Sequence, residues 1–192
     1  VNYCKPSGTV SQLVNSASGI HPRHSAYYIR AVRQDNKDPL TQFMKDAGIP
    51  WEDQIGNPNG TVFFFPVAAP EGAVTRDQVD PISHLELWKI YNEHWSEHQV
   101  SITVSIKEDE WMKVGAWVYD NFDELTGVSF LPMDGGTYKQ APYTEVTKEQ
   151  YEEMLAKMPE SIDWTQLQKY ELEDGTTSAR EFACTAGACE IL

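Results

Sequence analysis

The chain of 192 residues reads as an α/β protein with crossover connections. Two observations predict that class. Segments rich in β-branched and aromatic residues alternate with segments of helical periodicity, the order that feeds strands through helical crossovers. An apolar share of 41 % with 11 % aromatics belongs to a chain that buries a core, not to a disordered one.

Val1 to Cys4 reads as the end of a buried strand, followed by a turn from Lys5 to Thr9. A short helix is expected over Val10 to Ala17, stopped at Gly19. Ala26 to Val32 is a strand by composition. Asp38 to Ala47 is helical, with Pro39 in the first turn and Gly48 as the stop. Asn57, Pro58, Asn59 and Gly60 form a turn into Thr61 to Val67, a nearly unbroken apolar run expected to be buried on both faces. From Ser83 to Glu97, Leu85, Trp88, Tyr91 (or Ile90) and Trp95 fall at helical spacing. Gln99 to Ile106 alternates polar and apolar residues as a strand does. Lys107 to Phe122 is helical, and Glu108, Asp109 and Glu110 place negative charge at the positive end of its dipole. Gly127 to Leu131 is a further short strand; Thr147 to Met158 and Asp163 to Tyr170 are helices. Residues 1–170 are expected to form one folded portion, and 171–192 a polar tether.

The formal charge of −14 argues against a general nucleic-acid binder, which needs a basic face to displace counterions. It leaves room for a small phosphorylated ligand, which needs only a local cluster of donors. No apolar run approaches the roughly 20 residues of a membrane-spanning helix. Three cysteines do not make a secreted disulfide framework, so a reducing, cytoplasmic location is expected. The start at Val1, directly in strand-like sequence, suggests a piece of something longer, or a processed product.

Several constellations could carry chemistry. Cys184 and Cys189 are separated by Thr185, Ala186, Gly187 and Ala188, small residues with little to bury. A loop this short closes at low entropic cost, which suits a dithiol that oxidises and is reduced by exchange. The alternatives are half of a metal site or a static clip. Pro6, Ser7, Gly8, Thr9 and Val10 lead from a strand end through a glycine and hydroxyls into a helix start, an arrangement that suits an anion. An ordinary capped turn has the same composition. His94 and His98 flank Glu97 in the pattern H-x-x-E-H, which on a helix would hold zinc with Glu97 as base. The strand-like alternation that begins at Val100 speaks against it, and favours a polar helix end. Cys4 is expected to pack. His21, Arg23 and His24 could line the same cleft as the loop, with a surface ion pair as the other reading of Arg23. The run Glu171 to Asp174 reads as solvated.

Taken together, certain segments resemble the C-terminal part of adenosylcobalamin-dependent (class II) ribonucleotide reductases. They are Lys5 to Val14, Ser18 to Arg23, Val100 to Val104, Glu110 with Trp111, Val114 to Tyr119, Gly127 to Pro132 and Tyr138 to Tyr143. The ending Cys184 to Glu190 is similar to the cysteine pair that closes many reductase large chains. The resemblance implies the last portion of a ten-stranded α/β barrel with a flexible redox tail. It implies that Pro6 to Val10 binds the phosphates of a ribonucleotide substrate, a di- or triphosphate. It implies that Cys184 and Cys189 pass reducing equivalents from thioredoxin or glutaredoxin to an active-site disulfide. Adenosylcobalamin is the implied cofactor, generating a thiyl on a barrel cysteine.

Two departures matter: the thiyl motif of the family is not matched, and the partner cysteine of its active-site disulfide and its allosteric nucleotide site are also not found. The thiyl cysteine of the family lies in an Asn-x-Cys-x-Glu motif, and here Asn2, Tyr3 and Cys4 are followed by Lys5 and then Pro6. The chain is therefore expected to need an N-terminal portion or partner chain for turnover. The alternative is a non-catalytic redox or binding module descended from such an enzyme. The adjacent tyrosine pair of the iron-dependent class is not found between Gly127 and Tyr143, and Tyr27 with Tyr28 lies too near the loop, which favours the cobalamin class.

Overall fold

The computed structural model describes residues 1–133 and 139–171. They divide into two compact units, each built from two stretches of chain. The first takes the described residues within Val1–Tyr27 and Ala68–Thr137, the second those within Tyr28–Val67 and Tyr138–Leu192.

The first unit is organised on a parallel strand pair, β4 (Ser101–Ile106) and β5 (Gly127–Pro132), in register from Ser101 opposite Gly127 to Ile106 opposite Pro132. Parallel neighbours need a crossover, and α4 (Trp111–Asp120) supplies it. The alternation read from Gln99 to Ile106 sorts the two faces: Ile102, Val104 and Ile106 are buried, whereas Thr103 is exposed. The apolar face packs with Leu85 and Trp88 of α3 (Pro81–His94) and Val114 of α4. Trp88 is fully buried, and its indole N–H donates to the Val100 carbonyl at 2.9 Å, so the largest core side chain leaves no orphaned donor. The helix α3 begins two residues before the expected Ser83. Asp80 caps it by accepting from the Ser83 N–H at 2.9 Å, and Pro81 fits the first turn. It also ends early, at His94, which leaves Trp95 59 % exposed instead of on the buried stripe.

Two expectations for this unit need correction. Val1 to Cys4 is not a strand, and Val1 and Tyr3 are exposed. Its backbone carbonyls accept the isolated bonds Glu97 N–H to Asn2 O (3.0 Å) and Ser101 N–H to Cys4 O (3.4 Å), and Asn2 N–H donates to Glu97 Oε2 at 3.1 Å, which does not make a ladder. The helix expected to reach Ala17 is a single turn, α1 (Val10–Leu13). Asn15 takes a left-handed conformation at φ 49° and ends it, while Val10, Leu13 and Val14 stay exposed.

The second unit carries a four-stranded sheet in the order β2 (Trp51–Asp53), β3 (Gly60–Ala68), β1 (Tyr27–Asp35), β6 (Tyr143–Glu145). Both outer pairs, β2 with β3 and β1 with β6, are antiparallel, so crossover connections describe the first unit and not these pairs. The predicted turn from Asn57 to Gly60 closes the β2–β3 hairpin. The helix α2 (Pro39–Asp46) is capped by Asp38, which accepts from the Leu40 N–H at 2.9 Å, and Gly48 follows at φ 82°. Phe43 and Met44 of α2 form a core with Ile49 and Phe63, joined by Met158 beyond α5 (Lys148–Lys157) and by Ile162, Leu167 and Tyr170. The expected burial of β3 on both faces holds from Gly60 to Phe63; from Phe64 onward the strand is half-buried, because this covering layer reaches only Phe63 and Phe65. The helix expected from Asp163 is a 3-10 turn, Trp164–Lys169, started by Asp163 accepting from the Thr165 N–H.

Candidate functional site

The face of β4–β5 turned away from the core is lined by hydroxyls. Ser101 and Thr103 on β4 face the same way as Gly127 and Ser129 on β5, because side chains alternate and the register pairs these positions. With Gln99 and Thr126 they line a shallow polar cavity of about 340 Å³, and Pro6 forms part of its wall. The turn read as an anion loop therefore meets the rim of this concavity at Pro6, while Ser7, Gly8, Thr9 and Val10 are not among its lining residues.

The loop is braced from within and from behind. Ser7 Oγ accepts the Ser11 N–H at 2.8 Å, so Ser7 caps the single turn of α1. Thr9, at the N-cap position itself, makes no capping bond with its side chain and is exposed. Ser18 Oγ donates to the Ser7 carbonyl at 2.8 Å. Gly19, at φ 57°, lies against Pro6, where an added Cβ would sit 3.6 Å from the Pro6 Cα. Gly8 differs: an added Cβ would meet nothing within 4 Å, so the fold makes no steric demand for glycine there.

Two imidazoles, His21 and His84, sit behind the loop, and a third, His24, lies near Arg76. His21 joins Ser18 to β4, with Nδ1 2.8 Å from the Ser18 carbonyl and Nε2 accepting the Thr103 N–H at 2.8 Å. His84 of α3 donates from Nε2 to the Ile20 carbonyl at 3.1 Å, and its ring meets His21 edge-on at 5.7 Å between centroids. Burial pushes the pKa of both rings down, and the neighbouring His21 adds to the effect at His84. His24 is lowered to about 4, first by burial and then by the Arg76 guanidinium. Arg23, read as a surface residue in one alternative, is 4 % exposed. Its guanidinium donates to the Ser16 carbonyl and, at 2.6 Å, to Asn15 Oδ1, while its backbone bridges to Thr75. It fastens the segment after α1 and does not line the cavity.

The zinc arrangement does not form. The helix α3 ends at His94, so His98 is not one turn further along it, and both rings are exposed. No cluster of three potential ligands occurs among the described residues. Cys4 is half-buried and packs against the β4 core, as expected. Cys184 and Cys189 lie outside the described residues.

Of the site residues, His84 was missed in the sequence because it sits on a helix whose apolar spacing drew attention to Leu85 and Trp88. His21 stood out through the glycine and proline beside its position, but its contact with β4, across 82 residues, has no local signal.

No protein-family model matches the chain. Similar proteins do. The adenosylcobalamin-dependent ribonucleoside-triphosphate reductase of Euglena gracilis is 34 % identical over 82 % of this chain and 22 % of its own length. The probable adenosylcobalamin-dependent ribonucleoside-triphosphate reductase of Dictyostelium discoideum is 32 % identical over 98 % of this chain and 25 % of its own length. A crystal structure of a B-12 dependent (class II) ribonucleotide reductase superposes with a TM-score of 0.69 at 26 % identity, covering 91 % of this chain and 24 % of that one. This chain is homologous to a portion of the adenosylcobalamin-dependent ribonucleotide reductases. It spans about a quarter of the length of the curated reductases it matches. Adenosylcobalamin is the cofactor of those relatives by name. The polar cavity does not fit it: 340 Å³ lies at the low end for a drug-sized ligand, and a corrinoid is far larger. No helix among the described residues is long and apolar enough to cross a membrane.

Proposed function

We propose that this chain is the C-terminal portion of a cobalamin-dependent ribonucleotide reductase and contributes two parts of its machinery. The first is the loop Pro6, Ser7, Gly8, Thr9 and Val10, which holds the phosphates of the ribonucleotide substrate. The second is the pair Cys184 and Cys189, which as a dithiol reduces a disulfide in the active site, becomes a disulfide itself, and is reduced again by thioredoxin or glutaredoxin. In this reading β4 and β5 are strands of the ten-stranded barrel. The N-terminal portion or a partner chain supplies the other strands, the radical cysteine and the cobalamin site, and the assembled enzyme works in the cytoplasm.

The observation that carries the reading is the homology along nearly the whole chain. The loop's geometry agrees with it. Space is open above Gly8, the Thr9 hydroxyl is left out of the helix's own bonding, and Pro6 stands at a polar concavity. Phosphate oxygens are well served by hydroxyl donors approached along a backbone without side-chain obstruction.

The test is reconstitution. The chain alone should show no turnover with adenosylcobalamin, nucleoside triphosphate and dithiothreitol, and should gain it when the remaining three-quarters of the reductase is added. In that enzyme, Cys184→Ser or Cys189→Ser should abolish turnover driven by thioredoxin and largely preserve turnover driven by dithiothreitol, which reaches the active site directly. Equal loss with both reductants would sink the shuttle role.

A further inference from the structure

The loop stands where it does because the segment behind it is held at several points. Ser18 bonds to Ser7, Gly19 lies against Pro6, and Ile20 bonds to His84. The residue that then ties this brace to the sheet is His21. The Thr103 backbone nitrogen is a donor only, so His21 Nε2 accepts and carries no proton. Its one proton in the neutral ring sits on Nδ1 and goes to the Ser18 carbonyl. Both nitrogens are thus committed, one to the brace and one to the floor of the cavity.

Thr103 makes this more than a packing contact. Its side chain lies on the hydroxyl-lined face and lines the cavity, while its N–H belongs to the His21 link. One residue of β4 therefore joins the concavity to the loop at its rim.

We propose that His21, held as its Nδ1–H tautomer between Ser18 and Thr103, is the positioning residue that fixes the Pro6–Val10 loop at the rim of the β4–β5 cavity. The role rests on the reading of that loop as a substrate-phosphate site. It is distinct from phosphate binding itself: His21 touches the brace and the sheet, and acts on the nucleotide only through where the loop stands.

The two ring nitrogens make the test sharp. A glutamine carbonyl reaches the place of Nε2 and can accept the Thr103 N–H; an asparagine amide reaches only the place of Nδ1 and can keep only the Ser18 bond. In the full chain, nitrogen-15 spectra should show His21 as the Nδ1–H tautomer. His21→Gln should keep the Thr103 amide protected from exchange and leave the amide shifts of Ser7 to Val10 near wild type. His21→Asn should expose the Thr103 amide and move those shifts. Titration with cytidine triphosphate should give affinity within about threefold of wild type for His21→Gln and about tenfold weaker for His21→Asn, the scale of one hydrogen bond lost from a binding element. Equal behaviour of the two variants, an Nε2–H tautomer, or unmoved loop amides in His21→Asn despite an exposed Thr103 amide would overturn the proposal. If the wild-type chain takes up no triphosphate at millimolar concentration, the phosphate reading of the loop fails, and the exchange and shift comparison decides the positioning role by itself.

Discussion

Acid should loosen the first unit well before its carboxylates titrate, and His24 sets the size of the effect. The imidazole falls from its ordinary 6.5 to about 4 in the fold, so the unfolded chain takes up a proton that the folded chain refuses. Stability is then fully present above pH 6.5 and is lost as pH falls toward 4. A shift of 2.5 pH units at 1.36 kcal/mol per unit limits the whole loss to about 3 kcal/mol. At pH 5 the unfolded ring is nearly all protonated and the folded ring about one-tenth so, which gives about 2 kcal/mol relative to pH 7. The lowered rings of His21 and His84 act with the same sign. The assay is urea unfolding at pH 7.5, 6 and 5, followed by tryptophan fluorescence, to which buried Trp88 contributes, for wild type and His24→Gln. The variant should lose a slope of about 2 kcal/mol between pH 7 and 5. Parallel slopes in the two proteins would refute the reasoning, since His24 would then titrate alike in the folded and unfolded chains.

Two glycines should respond in opposite ways. Gly127→Ala places a Cβ 2.9 Å from the Val100 carbonyl and 2.4 Å from Gln99 Nε2; the glutamine can swing away, the backbone cannot, so thermal denaturation should show a loss of about 1–3 kcal/mol. Gly8→Val should leave the unfolding midpoint little changed, because nothing lies within 4 Å of an added Cβ, yet raise the KM for nucleotide in the reconstituted enzyme. Thr9→Ala there should cost about 1–3 kcal/mol of nucleotide affinity by isothermal titration, if its hydroxyl meets a charged phosphate oxygen.

What could be read from the chain in advance follows the range of the forces involved. The alternation of Ile102, Val104 and Ile106 announced β4 because burial on one face imposes a period of two. Asp38, Pro39 and Gly48 announced α2 because capping and left-handed termination are local chemistry. The three-residue strands β2 and β6 gave no such signal: Trp51 to Asp53 is exposed throughout, and β6 exists through its pairing with β1, more than 110 residues away. The length of α1 was misjudged because Gly19 was read as its stop, whereas Asn15 already turns left-handed at φ 49° and Val10, Leu13 and Val14 stay exposed. The buried state of Arg23 escaped because an arginine among polar neighbours looks solvated until its carbonyl acceptors are seen.

The two glycines also separate two kinds of selection. Substitutions at Gly127 collide with β4, so any screen that scores only the amount of folded protein should deplete them. Substitutions at Gly8 meet open space, so the same screen should pass them. A deep mutational scan run twice, once for abundance and once for nucleotide reduction, would place the two positions in different quadrants. Gly8 then becomes an internal gauge: whatever constraint the second scan shows there beyond the first is imposed from outside the protein's own folding.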